Sequence, residues 1–277
     1  MAPDDLLRRA MKGAAAAVDT VRRPPRGVIV LIYHRVGAGS GLELDLPVDL
    51  FAAQAEVLAA SGRVVCLGDA LAWLARPVGD GDGGAGGDPV VITFDDGTQD
   101  FVDHALPILE RHRLPATLYA ATAFIEEGRP FEGDGHPVSW RALADACATG
   151  LVDVGSHTHG HVLLDRLPAE QIDGELDRSI ELIGEHLGRP PRDFAYPKAV
   201  AGSPAADGAV RSRFRSAALG GARPNRPGAT DPYRLARSPI QHSDGMRWFE
   251  RKLAGGMAAE EGLRRLLNRW RYAGATT

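Results

Sequence analysis

Short apolar runs rich in β-branched residues alternate with helical stretches about seven times between residues 28 and 253. Strands separated by helices cannot pair as tight hairpins. Each must return through a crossover, which makes neighbouring strands parallel and covers them with helices. The pattern predicts strands at residues 28–34, 63–67, 90–95, 116–121, 152–156, 193–196, 216–219 and 237–240. Helices are expected near 47–61, 67–74, 99–112, 139–148, 168–187, 204–213 and 244–253. Ser139 suits an N-cap, Pro168 a first helical turn, and Gly150 and Gly188 helix stops. The run VVITF at 90–94 has no polar face, as expected of a strand buried on both sides. One α/β domain follows, its parallel sheet closed or nearly closed into a barrel.

The bulk composition permits this and excludes little else. The chain has 277 residues, 44% apolar and 25% charged, enough for one such domain. A net charge of −4 offers no electrostatic ground for binding nucleic acid. Cys66 and Cys147 have no CxxC neighbour and read as buried free thiols, which fits a cytoplasmic home. No run approaches the ~18 apolar residues of a membrane span. Residues 1–26 form a basic helical arm whose apolar stretch, broken at Asp19, is too short for an export signal. With Arg8, Arg9, Lys12, Arg22 and Arg23 it is expected to be solvated, or to rest on the inner face of an anionic membrane. Residues 79–88 are a flexible Gly/Asp loop within the main domain, 27–256, and residues 257–277 a basic amphipathic helix and tail.

Two segments carry chemistry. Asp95 and Asp96 follow the apolar run directly and precede Gly97. Adjacent carboxylates at a buried strand end repel unless a cation lies between them; the bland reading is a turn that caps the next helix. The second segment, VDVGSHTHGHVLLD at 152–165, places His157, His159 and His161 after a strand. If the chain turns helical there, His157 and His161 share one side, a ligand-pair geometry, while His159 points away. Two imidazoles and one carboxylate form a three-ligand set with open coordination positions. Asp96 is then the ligand and Asp95 is free to act as a base. The same set suits non-haem iron(II) oxygenases, but those usually occupy a β-sandwich.

TFDDG at 93–97 and SHTHGH at 156–161 together resemble the polysaccharide deacetylase family, or NodB homology domain. LIYHRVG (31–37), FAYP (194–197), FRSAALGGARPN (214–225) and DPYRLARSPI (231–240) extend the resemblance over about residues 27–256. The resemblance implies a distorted (β/α)7 barrel and a deacetylase acting on an N- or O-acetylated sugar. Asp95 would be the general base. Asp96, His157 and His161 would hold a divalent ion, zinc first, with cobalt or nickel as alternatives. Tyr196 lies in the third motif, where a backbone N–H would help bind the oxyanion. His34, on an N-terminal strand as in circularly permuted members, would be the general acid in preference to His242. The arginine that often orients the base has no counterpart in register with FAYP, and Arg192 is not assigned that role. Its lack leaves an alternative, a catalytically impaired sugar-binding homologue. Asp165 is expected to anchor the following helix, and Lys198 and Trp140 to line a sugar groove or, for Trp140, the core.

Overall fold

The computed structural model describes residues 24–77 and 87–260, together with Lys12, Gly13, Ala15 and Asp19. In chain order the strands are β1 (Ile29–Tyr33), β2 (Arg35–Val36), β3 (Asp45–Leu46), β4 (Val90–Phe94), β5 (Ala116–Ala120), β6 (Val152–Ser156), β7 (Asp193–Ala195), β8 (Ser216–Gly220) and β9 (Leu235–Pro239). The α-helices are α1 (Val48–Ser61), α2 (Leu67–Leu74), α3 (Leu106–His112), α4 (Thr122–Glu127), α5 (Trp140–Ala148), α6 (Ala169–Leu187), α7 (Pro204–Arg213) and α8 (Gly245–Leu253).

Seven strands close an all-parallel barrel in the order β1-β4-β5-β6-β7-β8-β9, the expected (β/α)7 architecture in a single domain. The first strand in sequence closes the ring: β1 pairs with β4 along its length and with β9 through Val30–Arg237 to Ile32–Pro239. β2 and β3 form a separate two-stranded parallel ribbon just beyond the end of β1.

Alternate residues of each strand serve different layers. Ile29, Leu31 and Tyr33 of β1 pack outward with Phe51, Phe94 and Phe101 under the helices. Tyr33 stacks on Phe94 at 5.4 Å, meets Phe51 edge-on at 5.3 Å, and donates its hydroxyl to Gln54 Oε1 at 3.0 Å. Val30, Val91, Tyr119, Ala195, Ala218 and Leu235, from six strands, meet in one cluster, which only the barrel interior allows.

Two expectations change and one helix is new. Residues 63–67 do not form a strand; Val64 makes a single bridge to Val90. Beyond Val90, β4 is flanked by β1 on one side and, from Ile92, by β5 on the other, so no edge remains for it. The helix expected at 99–112 begins as a wide π-turn, Phe101–Ala105, in which the Leu106 N–H reaches back to the Phe101 carbonyl. Pro107 has no N–H to give to the carbonyl four residues earlier, and the widened turn absorbs that loss. The six-residue α4 falls in a stretch too short for helical periodicity to reveal.

Lys12, grouped above with a solvated basic face, is instead buried, with its Nζ 2.7 Å from Asp244 Oδ1. Asp19 accepts the Met257 N–H at 2.7 Å. The rest of the arm through residue 23, loop residues 79–86 and the tail from 261 lie outside the described residues. No helix among the described residues is long and apolar enough to cross a membrane. Cys66 and Cys147 are free thiols, half-buried rather than fully buried.

Candidate active site

The adjacent aspartates diverge because the backbone turns sharply between them. Asp96 and Gly97 both take left-handed conformations, with φ of 74° and 95°. Glycine adopts this freely and aspartate tolerates it. The turn is pinned at three points: the Asp95 N–H donates to Tyr33 O at 3.0 Å, the Ala121 N–H to Asp96 O at 3.0 Å, and the Val138 N–H to Gly97 O at 3.0 Å. Asp95 is buried, and the Asp96 side chain keeps 19% of its surface exposed.

Arg237 of β9 meets Asp95 as a two-pronged fork: its Nη1 donates to Oδ1 at 2.6 Å and its Nη2 to Oδ2 at 2.8 Å. Nη1 also reaches Thr93 Oγ1 at 3.2 Å. Burial alone would raise the Asp95 pKa, but Arg237 and then His157 outweigh it and hold the group at about 2. Asp96 behaves oppositely. Burial, opposed by His34 and reinforced by the Asp95 charge, pushes it up to about 6.

His157, His161 and Asp96 come together as expected, but through a loop. Thr158 and His161 have φ of 64° and 57°, so the chain cannot be helical there. His161 Nε2 lies 3.3 Å and His157 Nε2 3.7 Å from Asp96 Oδ1. One ligand atom from each of the three falls within 4.8 Å of the others. His157 Nδ1 sits 2.7 Å from Ala195 O. A carbonyl only accepts, so Nδ1 carries the proton and the Nε2 lone pair is left for a ligand. Burial brings His157 down to about 3 and lowers His161 as well, keeping both in the neutral form a cation requires. This donor set fits a divalent cation.

The supporting groups hold the loop from outside. Glu175 of α6 accepts the Gly160 N–H at 2.6 Å on its carboxylate and the His159 N–H at 3.1 Å on its carbonyl. His159 Nδ1 pairs with Thr122 Oγ1 at 2.9 Å, so it anchors α4, as its sideways position suggested. Trp140 is half-buried, donates to Glu126 at 3.0 Å and stacks on His186 at 4.4 Å, linking α4, α5 and α6. Lys198 is exposed just beyond β7, and its charge contributes to lowering His161. The Asp165 carboxylate lies 3.9 Å from Arg166, half exposed in the loop before α6.

His34 follows β1 directly beside Asp95, and its Nδ1 is buried with no protein partner among the described residues. His242 is exposed in a short turn after β9. The expectation for Tyr196 needs correction. Its N–H already donates to Ala218 O at 3.1 Å, and its ring packs edge-on against Phe194 in the outer core. It braces the barrel wall, and that N–H is committed to the sheet.

Arg237 is the residue the sequence reading missed. The resemblance places an arginine near FAYP, whereas the structure supplies one from β9, within DPYRLARSPI and 142 residues from its partner. Its alternation with Leu235 on one strand was the available signal. The missing arginine that favoured an impaired homologue is therefore present in space.

Residues 82–213 match the polysaccharide deacetylase family model. A curated relative, the poly-beta-1,6-N-acetyl-D-glucosamine N-deacetylase of Staphylococcus epidermidis, is 29% identical over 116 residues, covering 39% of this chain and 39% of that enzyme. The structure of IcaB from Ammonifex degensii superposes with a TM-score of 0.69 at 29% identity, covering 82% of this chain and 98% of the other. The Streptococcus pyogenes deacetylase PplD, solved with acetate, shares the fold at 19% identity and a TM-score of 0.68, covering 82% and 98%. The barrel, the paired aspartates and the histidine loop all agree with the polysaccharide deacetylase family, which this chain resembles.

Proposed function

We propose that the protein is a metal-dependent hydrolase that removes acetyl groups from an N-acetylated sugar or oligosaccharide. The observation that carries this reading is the Arg237-held Asp95 standing beside the Asp96–His157–His161 cluster. A divalent cation there, zinc being the best match to the donor set, would supply Lewis-acid polarisation of the acetyl carbonyl and a lowered water pKa. Asp95, kept ionised by Arg237, accepts the proton of the attacking water. His34, beside Asp95 just past β1, protonates the departing amine. Its unpartnered buried Nδ1 supports that role, since a ring nitrogen with no protein partner is available to a ligand. The products are acetate and a free amino sugar. The relatives point to β-linked N-acetylglucosamine oligomers as the first substrates to try.

The experiment is acetate release from β-1,6- and β-1,4-linked N-acetylglucosamine oligomers, before and after chelation and zinc return. Chelation should abolish release and zinc should restore it. Asp95→Asn should bind zinc normally and lose turnover by about a hundredfold to ten-thousandfold, the usual worth of a general base. Full turnover in that variant, or release insensitive to chelation, would refute the reading. Saturable oligosaccharide binding without acetate release would instead favour the impaired sugar-binding homologue.

A further inference from the structure

The fork that holds Asp95 is itself held from only some directions. Its two Nη groups are bound by Asp95 and Thr93, but the Arg237 Nε is buried and has no protein partner among the described residues. Hydrogen bonds therefore fix the front of the guanidinium and leave its back edge unsecured. What lies against the group is an aromatic ring. The Arg237 Cζ is 5.2 Å from the centroid of Tyr119 on β5, within the range of a cation–π contact. Both side chains are completely buried, where such a contact is strongest.

The barrel interior is shaped around that ring. The inward cluster around it mixes large residues, Val91 and Leu235, with the small Ala195 and Ala218, and on β6 Gly155 lies directly against the ring. A Cβ at Gly155 would stand 2.6 Å from Tyr119 Cδ1 and 2.7 Å from Cε1, as well as 2.8 Å from the Asp193 carbonyl oxygen. The glycine just ahead of the histidine segment thus makes room for Tyr119, two residues short of His157. The Tyr119 hydroxyl has no protein partner among the described residues either. Burial, then the charge of Asp193, keeps the phenol neutral. The side chain therefore acts through its ring face.

From this geometry we infer that Tyr119 is a positioning residue: its ring, seated in the space left by Gly155, fixes the Arg237 guanidinium and so aims Asp95 at the reacting water. The catalytic half of this inference rests on the deacetylase reading; the structural half does not. The two halves are tested separately.

The first measurement is nitrogen-15 NMR of the Arg237 guanidinium in metal-free protein. In the native chain, rotation about Nε–Cζ should be slow, giving separate Nη signals. Tyr119→Phe keeps the ring face and should keep them separate. Tyr119→Leu, or pentafluorophenylalanine at position 119, should average them. The fluorinated ring preserves size while inverting the charge of its face, so it decides the matter if the leucine variant does not fold. The second measurement is steady-state acetate release. The leucine and pentafluoro variants should lose about tenfold in kcat with KM within twofold and zinc stoichiometry unchanged, the scale of a buried cation–π contact; the phenylalanine variant should stay within twofold. Native signals and kcat in the pentafluoro variant would overturn the inference. So would a phenylalanine variant as impaired as the leucine one, which would assign the role to the hydroxyl. If the native enzyme releases no acetate while the guanidinium signals still depend on the ring, the deacetylase reading fails and the positioning role stands.

Discussion

Two chemically identical neighbours, Asp95 and Asp96, end up with pKa values of about 2 and about 6. One left-handed residue separates their environments: Asp95 turns in to a guanidinium, and Asp96 turns to the mouth without one. On the proposed reading, this gives cation binding at the Asp96–His157–His161 cluster a definite pH dependence. In the metal-free protein Asp96 is protonated below pH about 6, so binding must expel one proton there and none above it. His157, at about 3, is already neutral through that window. The zinc association constant should rise by about tenfold per pH unit up to about 6 and then flatten. Calorimetry in two buffers of different ionisation enthalpy reads the proton count directly. Absence of proton release just below pH 6 would show that Asp96 is already ionised there, and release of two protons per cation would show that a histidine is protonated as well as Asp96. The adjacency of the aspartates was legible in the sequence. The guanidinium that separates their environments was not, because a partner 142 residues away leaves no local pattern.

Among the elements, the strands were legible and the connections less so. A run buried along its whole length, such as Val90–Phe94, has one stable place, inside a covered sheet, so the barrel could be read from pattern alone. The histidine segment is a loop and not the helical turn its spacing allows, because a spacing of four fits a helix and says nothing of the sign of φ at Thr158 and His161. That loop owes its shape to α6, whose Glu175 takes the Gly160 N–H on its carboxylate. Glu175→Ala removes the acceptor and frees the stretch carrying His161. Zinc affinity should fall by about tenfold to a hundredfold, as for other groups that orient metal ligands, with the thermal midpoint little changed. Glu175→Gln retains an oxygen acceptor and should restore most of the affinity. Equal losses in both variants, measured by zinc competition with a chromogenic chelator, would mean that charge rather than the hydrogen bond matters.

At the scale of the whole molecule, Lys12 is tied to the strand that carries Arg237 through one buried charge network. Asp244 receives Lys12 on Oδ1 at 2.7 Å and Lys252 on Oδ2 at 2.7 Å, and all three side chains are at most 2% exposed. Lys252 also donates to Pro239 O at 2.7 Å, at the end of the strand that carries Arg237. A lone lysine in a basic arm reads as solvated; only the packed chain reveals its partner. Buried ion networks need not stabilise relative to an apolar core, but removing one partner leaves uncompensated charge at a cost of about 3–5 kcal/mol. Asp244→Asn takes the near carboxylate from two buried ammonium groups, leaving Lys252 only the carboxylate of Glu260 at 3.9 Å, and should lower the thermal midpoint by about 6–20 °C, at about 2–4 °C per kcal/mol for a chain of this size. Lys12→Met leaves Asp244 paired with Lys252 and should cost clearly less. Adding Lys12→Met to Asp244→Asn should then recover part of the loss, because the second change removes a charge the first had stranded. Midpoints from calorimetry of the four proteins complete the cycle. Strict additivity would mean that Lys12 and Asp244 act independently and that the arm is not coupled to the barrel through this pair.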